Sequence, residues 1–246
     1  MTRSATDDHH AWIFVSHASD DLQRVREVRN YLESKGASPL LFHLMALSDP
    51  EEFWPIIERE IAARNFFLYC QSAVAEEREW VRRERAAVDA ASKKRPIRID
   101  SVQVDAPELD LNKLDAFLAK TRVFPSFSYP DREIVRPFLV TMARAGFQVF
   151  MLQDLASGTR WPDTIRSELE AAARNGWVVV FLSRAALQSG WVNAEINAGL
   201  ALGAKFIPVI IENVSLPPSL AHIQIFDATR DPATAPHRLV DLMLRR

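Results

Sequence analysis

Two short motifs in the chain pair an aromatic residue with a carboxylate: Trp80-x-x-x-Glu84 and Trp191-x-x-x-Glu195. Residues at i and i+4 lie on one face of a helix, one above the other, so each motif sets an aromatic wall beside a carboxylate. Facing a crevice, that pair can hold a ligand. At a helix start, the same Glu can instead simply complement the helix dipole, worth about 0.3–1 kcal/mol, while the Trp packs on the core. Spacing alone leaves both readings open. The other reactive side chains point elsewhere. His9 and His10 are neighbours in a polar tail, and His17, His43, His222 and His237 are scattered. None has the spacing of a zinc site, and no metal is expected. The single cysteine, Cys70, lies inside the apolar run Phe66–Cys70. It can form no intrachain disulfide and reads as a buried structural thiol.

The elements that would position these motifs occur twice. Phe14-Val15-Ser16 recurs as Phe124-Pro125-Ser126 and Arg64-Asn65 as Arg174-Asn175, both 110 positions on; Trp80 and Glu84 recur 111 positions on as Trp191 and Glu195. A repeat about one domain long is a duplication followed by divergence and not a solenoid of short units. Within each half, apolar runs alternate with amphipathic stretches, the pattern of a parallel sheet covered by helices on both faces. In the first half, strands are expected at Ala11–Val15, Ser38–Phe42, Phe66–Cys70 and, weakly, Pro96–Ile99, where Arg98 sits badly in a central strand. Helices are expected at Asp21–Lys35, Trp54–Ala63, Val81–Ala91 and Leu111–Lys120. In the second half, strands are expected at Arg122–Pro125, Gln148–Leu152, Trp177–Leu182, Phe206–Ile211 and Ile223–Phe226. Its helices are expected at Arg132–Ala145, Thr164–Ala173, Val192–Gly203 and Ala235–Leu244. Gly36 and Gly146 close the first helix of each half.

At 246 residues the chain accommodates two cores. We read a polar tail over 1–10, a first domain over 11–120 and a second over 121–246, with almost no linker between them. A hydrophobic fraction of 48% with 25% charged residues is that of an ordinary globular protein. Thirty Lys and Arg against 32 Asp and Glu leave a net charge of -2, so no global field draws the chain to nucleic acid or to an anionic membrane. The run Lys93-Lys94-Arg95 reads as a solvated helix end. A polar start with Asp7 and Asp8, and no long apolar run, lead us to expect a cytoplasmic protein without direct membrane association.

The order of landmarks resembles the Toll/interleukin-1 receptor (TIR) domain in both halves. The opening strand and polar turn are Phe14-Val15-Ser16-His17-Ala18-Ser19-Asp20-Asp21 and Phe124-Pro125-Ser126-Phe127-Ser128-Tyr129-Pro130-Asp131. Ala63-Arg64-Asn65 and Ala173-Arg174-Asn175 then lead into an apolar strand ending at Ser72 or Ser183, and the Trp-x-x-x-Glu motif follows. The resemblance implies two flavodoxin-like α/β domains in tandem, similar to bacterial TIR proteins that cleave NAD+.

In such TIR domains the Glu of this motif is the catalytic residue, which the resemblance carries onto Glu195 and onto Glu84. NAD+ is then the substrate and no cofactor is implied. Water as acceptor gives ADP-ribose, an adenine nitrogen a cyclic product, and an outside base a base-exchange product. Trp191 would flank the substrate, with Ser126, Phe127 and Ser128 on its phosphate or ribose side, though such residues are also turn-formers. In the loop Gln153–Trp161, Asp154 lies near the ligand, Arg160 meets the pyrophosphate and Trp161 stacks on a ring or else packs beneath its own loop. Ser16, His17, Ser19 and Trp80 are the first-domain equivalents. The first-domain loop His43–Phe53 lacks glycine, and Arg82, Arg83 and Arg85 surround Glu84, where they could neutralise it in ion pairs. The second domain is therefore expected to be the catalytic one, with the first serving assembly or regulation. Defence or stress signalling, with self-association of TIR domains within or between chains, is what the resemblance implies for partners. A non-enzymatic adaptor module and a deoxyribosyltransferase-like nucleoside enzyme are the competing readings.

Overall fold

The computed structural model describes residues 10–42, 53–150 and 161–246, apart from the side chains of 161, 162, 164 and 175. Two compact units are formed, one of His10–Leu118 together with Asp241–Arg246 and the other built on Ala119–Val240. The first runs β1 (Ala11–Ser16), α1 (Leu22–Ser34), β2 (Ala37–Leu40), α2 (Trp54–Ala63), β3 (Phe66–Gln71), α3 (Ala73–Glu77), α4 (Glu79–Ser92), β4 (Arg98–Gln103) and α5 (Leu111–Ala119). The second runs β5 (Arg122–Ser126), α6 (Arg132–Arg144), β6 (Gln148–Val149), α7 (Trp161–Asn175), β7 (Trp177–Leu182), α8 (Arg184–Gln188), α9 (Gly190–Ala201), β8 (Phe206–Ile210), β9 (Phe226–Asp227) and α10 (Ala235–Arg245).

Both sheets are parallel, ordered β2-β1-β3-β4 and β6-β5-β7-β8-β9 among the described residues. This is the flavodoxin-like α/β arrangement expected from the alternating pattern. Central strands covered on both faces need near-continuous apolar runs, and β7 is buried at every residue and β3 at all but its last, which is half-buried. The order switches between β1 and β3, and again between β5 and β7, so the crevice of each sheet opens where Ser16 and Ser126 end their strands.

The register explains the change in repeat offset. Ile13 pairs with Phe66, and Val123 pairs with Trp177. Gly176 is the extra residue that moves the shift from 110 to 111. A Cβ there would lie 2.8 Å from the Arg122 carbonyl oxygen, so the insertion fits only as glycine. Gly36 and Gly146 end α1 and α6 as expected, with φ of 79° and 89°.

Three expectations need correction. The fourth strand spans Arg98–Gln103, not Pro96–Ile99, and lies at the sheet's edge, where Arg98 stays half-exposed and its charge is not an obstacle. The last strand is Phe226–Asp227 and not Ile223–Phe226. The short helices α3 and α8 were not expected. Each is a single turn whose formation rests on a serine cap more than on periodicity: Ser72 and Ser183 accept from the Ala75 and Ala186 amides at 2.9 Å. The expected loops His43–Phe53 and Gln153–Trp161 lie largely outside the described residues, as does Leu152 at the end of the expected second strand.

Candidate functional site

Glu195 sits one turn into α9, whose start is capped by Ser189 accepting from the Val192 amide at 3.3 Å. The helix delivers its carboxylate to the end of β5, where Ser126 Oγ donates to Glu195 Oε2 at 2.5 Å. Trp191 Nε1 donates to the other oxygen, Oε1, at 2.6 Å, so the i and i+4 residues are bonded as well as neighbours. The Glu195 side chain is 9% exposed and Trp191 42% exposed. Burial raises the Glu195 pKa, while the two donors pull it back by favouring the ionised form. Beside the pair runs a groove of about 380 Å³, bounded by Ile165 and Leu169 of α7 and by Ala194 and Ala198 of α9. Arg166 and Glu170, paired at 2.9 Å, lie on its α7 side.

The first domain repeats the carboxylate and its serine but not the surroundings. Ser16 Oγ donates to Glu84 Oε2 at 2.5 Å. Glu84 is 4% exposed, and burial pushes its pKa up to about 7 against the opposing pull of Ser16 and Trp80. The Trp80 indole nitrogen is buried and leans toward this carboxyl without meeting hydrogen-bond geometry. Its ring packs edge-on against Trp54, centroids 5.4 Å apart. Two of the arginines near Glu84 make their described contacts elsewhere. Arg85 holds Glu76 at 2.7 and 2.9 Å, and the Arg83 guanidinium lies 4.0 Å from the Trp54 ring centroid and 5.4 Å from that of Trp80.

The remaining candidates divide. Phe127 is partly exposed, with its ring perpendicular to that of Phe181 and the centroids 6.5 Å apart. Ser128 is buried, and its carbonyl accepts from the Asp131 amide at 2.9 Å, the turn-forming role. His17 is buried with Nδ1 3.4 Å from the Val15 carbonyl oxygen, and Ser19 opens a short 3-10 turn over Ser19–Asp21. Asp154 and Arg160 lie outside the described residues; Trp161 begins α7, with its side chain outside the description. Cys70 is buried, which pushes its thiol up to about 12 and leaves it unreactive near neutral pH.

A second duplicated pair went unread in the sequence. Ser72 Oγ donates to Asp21 Oδ2 at 2.5 Å, and Ser183 Oγ to Asp131 Oδ2 at 2.6 Å. Each ties the polar turn after the first strand to the end of the central strand, which fixes the rim on which Ser16 or Ser126 stands. The signal was available, since both partners keep the repeat offset.

A tandem of open parallel sheets, each with a strand-end serine bonded to a helical glutamate, defines a duplicated α/β site. Residues 13–121 and 123–240 match the sequence profile of the TIR domain, and the chain belongs to that family, as a tandem. Among solved structures it is similar to the TIR domain of the Toll-related receptor TRR-2 from Hydra magnipapillata, at 22% identity and a TM-score of 0.41. That match covers 50% of this chain and 98% of the receptor domain. No curated protein sequence matches the chain. No described helix is long and apolar enough to cross a membrane.

Proposed function

We propose that the second domain cleaves the bond between nicotinamide and ribose in NAD+, with Glu195 as the catalytic residue. The observation that carries this reading is the Glu195 carboxylate, bonded by Ser126 at the end of β5 and by Trp191, and set beside an open groove between α7 and α9. Departure of nicotinamide takes the electron pair of the C1′–N bond onto the ring nitrogen and leaves an oxocarbenium-like centre on the ribose. A carboxylate beside C1′ stabilises that charge, as in glycoside hydrolysis. Nicotinamide leaves as a neutral molecule, so no second carboxyl is needed as general acid. Water then bonds to C1′, loses a proton and gives ADP-ribose; an adenine nitrogen or an outside base in the same position gives a cyclic or exchanged product. Ser126 and Trp191 act by keeping Glu195 ionised and oriented, against the burial that favours its protonated form.

Within the cell this activity would serve defence or stress signalling, with TIR–TIR association bringing the catalytic domain to its working state. The test is incubation of concentrated protein with NAD+, separation of products by chromatography and mass spectrometry, and parallel assay of Glu195→Ala and Glu84→Ala. Nicotinamide release that disappears in Glu195→Ala and persists in Glu84→Ala is the expected result. Absence of release from the parent chain at any concentration would favour the adaptor reading, and release of free base from deoxynucleosides the nucleoside-enzyme reading.

A further inference from the structure

The space between α2 and α4 in the first domain is filled by the domain's own side chains. Trp54 is buried against Phe14, Ile57 and Phe67, meets Trp80 edge-on, and carries the Arg83 guanidinium over its face. In the second domain the space between α7 and α9 is the open groove, and the residue 111 positions after Arg83 is Ala194, which lines it.

We propose that Trp54 and Arg83 form a built-in plug that shuts the Glu84 crevice to ligands, and that the choice of Arg83 or Ala194 at this one helical position decides which of the two carboxylates a ligand reaches. Edge-to-face indoles attract through the ring quadrupole, and a guanidinium over an indole face is drawn to it more strongly as water is excluded. The plug is therefore an attractive assembly. Position 83 is one turn after Trp80, as position 194 is after Trp191, so an arginine at 194 can reach the Trp191 ring in the same way. Alanine at 194 leaves Trp191 half-exposed along the groove. Behind its plug Glu84 is the more deeply buried carboxyl, and burial favours its protonated form, which cannot stabilise a developing cation.

The test uses the full chain, with the indole ring protons of Trp80 and Trp191 assigned by Trp→Phe variants and their relaxation by a soluble paramagnetic probe measured by NMR. Arg83→Ala and Trp54→Leu, singly and together, are expected to raise the relaxation of Trp80 to the level of Trp191. Ala194→Arg is expected to protect Trp191 and, resting on the NAD+ reading, to lower nicotinamide release by about tenfold or more. A Trp80 that stays protected in folded Arg83→Ala, the variant least able to disturb the core, overturns the plug. So does a Trp191 that stays accessible in folded Ala194→Arg, even where nicotinamide release is lost. A parent chain that releases no nicotinamide counts against NAD+ cleavage alone, since the indole measurements decide the plug without it.

Discussion

Glu84 and Glu195 occupy the same place in two copies of one fold, each receiving a serine hydroxyl from the end of a central strand at 2.5 Å. They differ in what stands beside them. Trp191 donates to its glutamate and borders a groove; Trp80 leaves its nitrogen without a bonded acceptor and gives its ring to Trp54 and Arg83. Duplication has preserved the bond that holds the carboxylate and changed the neighbours that decide access to it. A motif can thus survive as architecture after its surroundings have closed.

The largest effect expected is on turnover. Glu195→Ala should lower nicotinamide release by roughly 10²–10³-fold or more, the scale of losing one preorganised electrostatic group in a water-poor site. Glu84→Ala should leave release in place; loss in both variants would erase the distinction between the domains.

The next effect lies in stability and separates the carboxyls by pH. The folded first domain holds the Glu84 proton up to about 7, whereas the unfolded chain releases it near 4.5. The stabilisation from that proton is complete below the unfolded value and is lost as pH rises through about 7, a change on the order of 3 kcal/mol. Glu84→Gln keeps a neutral side chain at every pH. It should therefore raise the denaturation midpoint of the first domain at pH 8 relative to the parent and leave it nearly unchanged at pH 4.5. Equal denaturant titrations of both proteins at pH 8 would remove the case for a buried, proton-holding Glu84.

A third outcome concerns Ser126. Its hydroxyl favours ionised Glu195, and hydrogen bonds to charged groups contribute about 1.5–3 kcal/mol. Ser126→Ala should raise the Glu195 pKa further and move the acid limb of the pH–rate profile upward by about one to two units. An unmoved acid limb with a lowered rate would assign Ser126 to substrate contact instead.

The smallest effect tests a packing difference between the halves. Gly199 of α9 stands where α4 has the buried Val88, and a Cβ at 199 would come within 2.6 Å of the Phe206 ring. Gly199→Ala gains about 1 kcal/mol of helix propensity and loses about 1–3 to overpacking, for a net loss near 1 kcal/mol in second-domain thermal stability. A stabilised variant would show that the Phe206 ring gives way freely.

Much of this protein was legible along the chain, because its signals are local or repeated. Apolar runs such as Trp177–Leu182, short and rich in valine, read as strands buried on both faces, and i, i+4 spacing puts Trp191 over Glu195 wherever that segment is helical. The strand-end serines, the closing glycines and the serines capping α3 and α8 all keep the repeat offset. The edge strand over Arg98–Gln103 was harder to read, since a strand with one free edge needs little apolar content and its half-exposed charge imitates a loop.

Tertiary structure decided the relations between elements distant in sequence. That Ser16 and Ser126 bond to the glutamates depends on helix and strand arriving at one rim, with the partners 68 and 69 positions apart along the chain. The role of Arg83 depended on packing: charge counting along α4 pairs it with Glu84, while the fold offers it two indole faces. Sequence determines which residues share a helix face or a strand end, because backbone geometry sets those periods. Which buried carboxylate meets an open groove and which a filled one depends on how side chains from two helices, such as Trp54 and Arg83, meet across the space between them, and no period along either helix encodes that meeting.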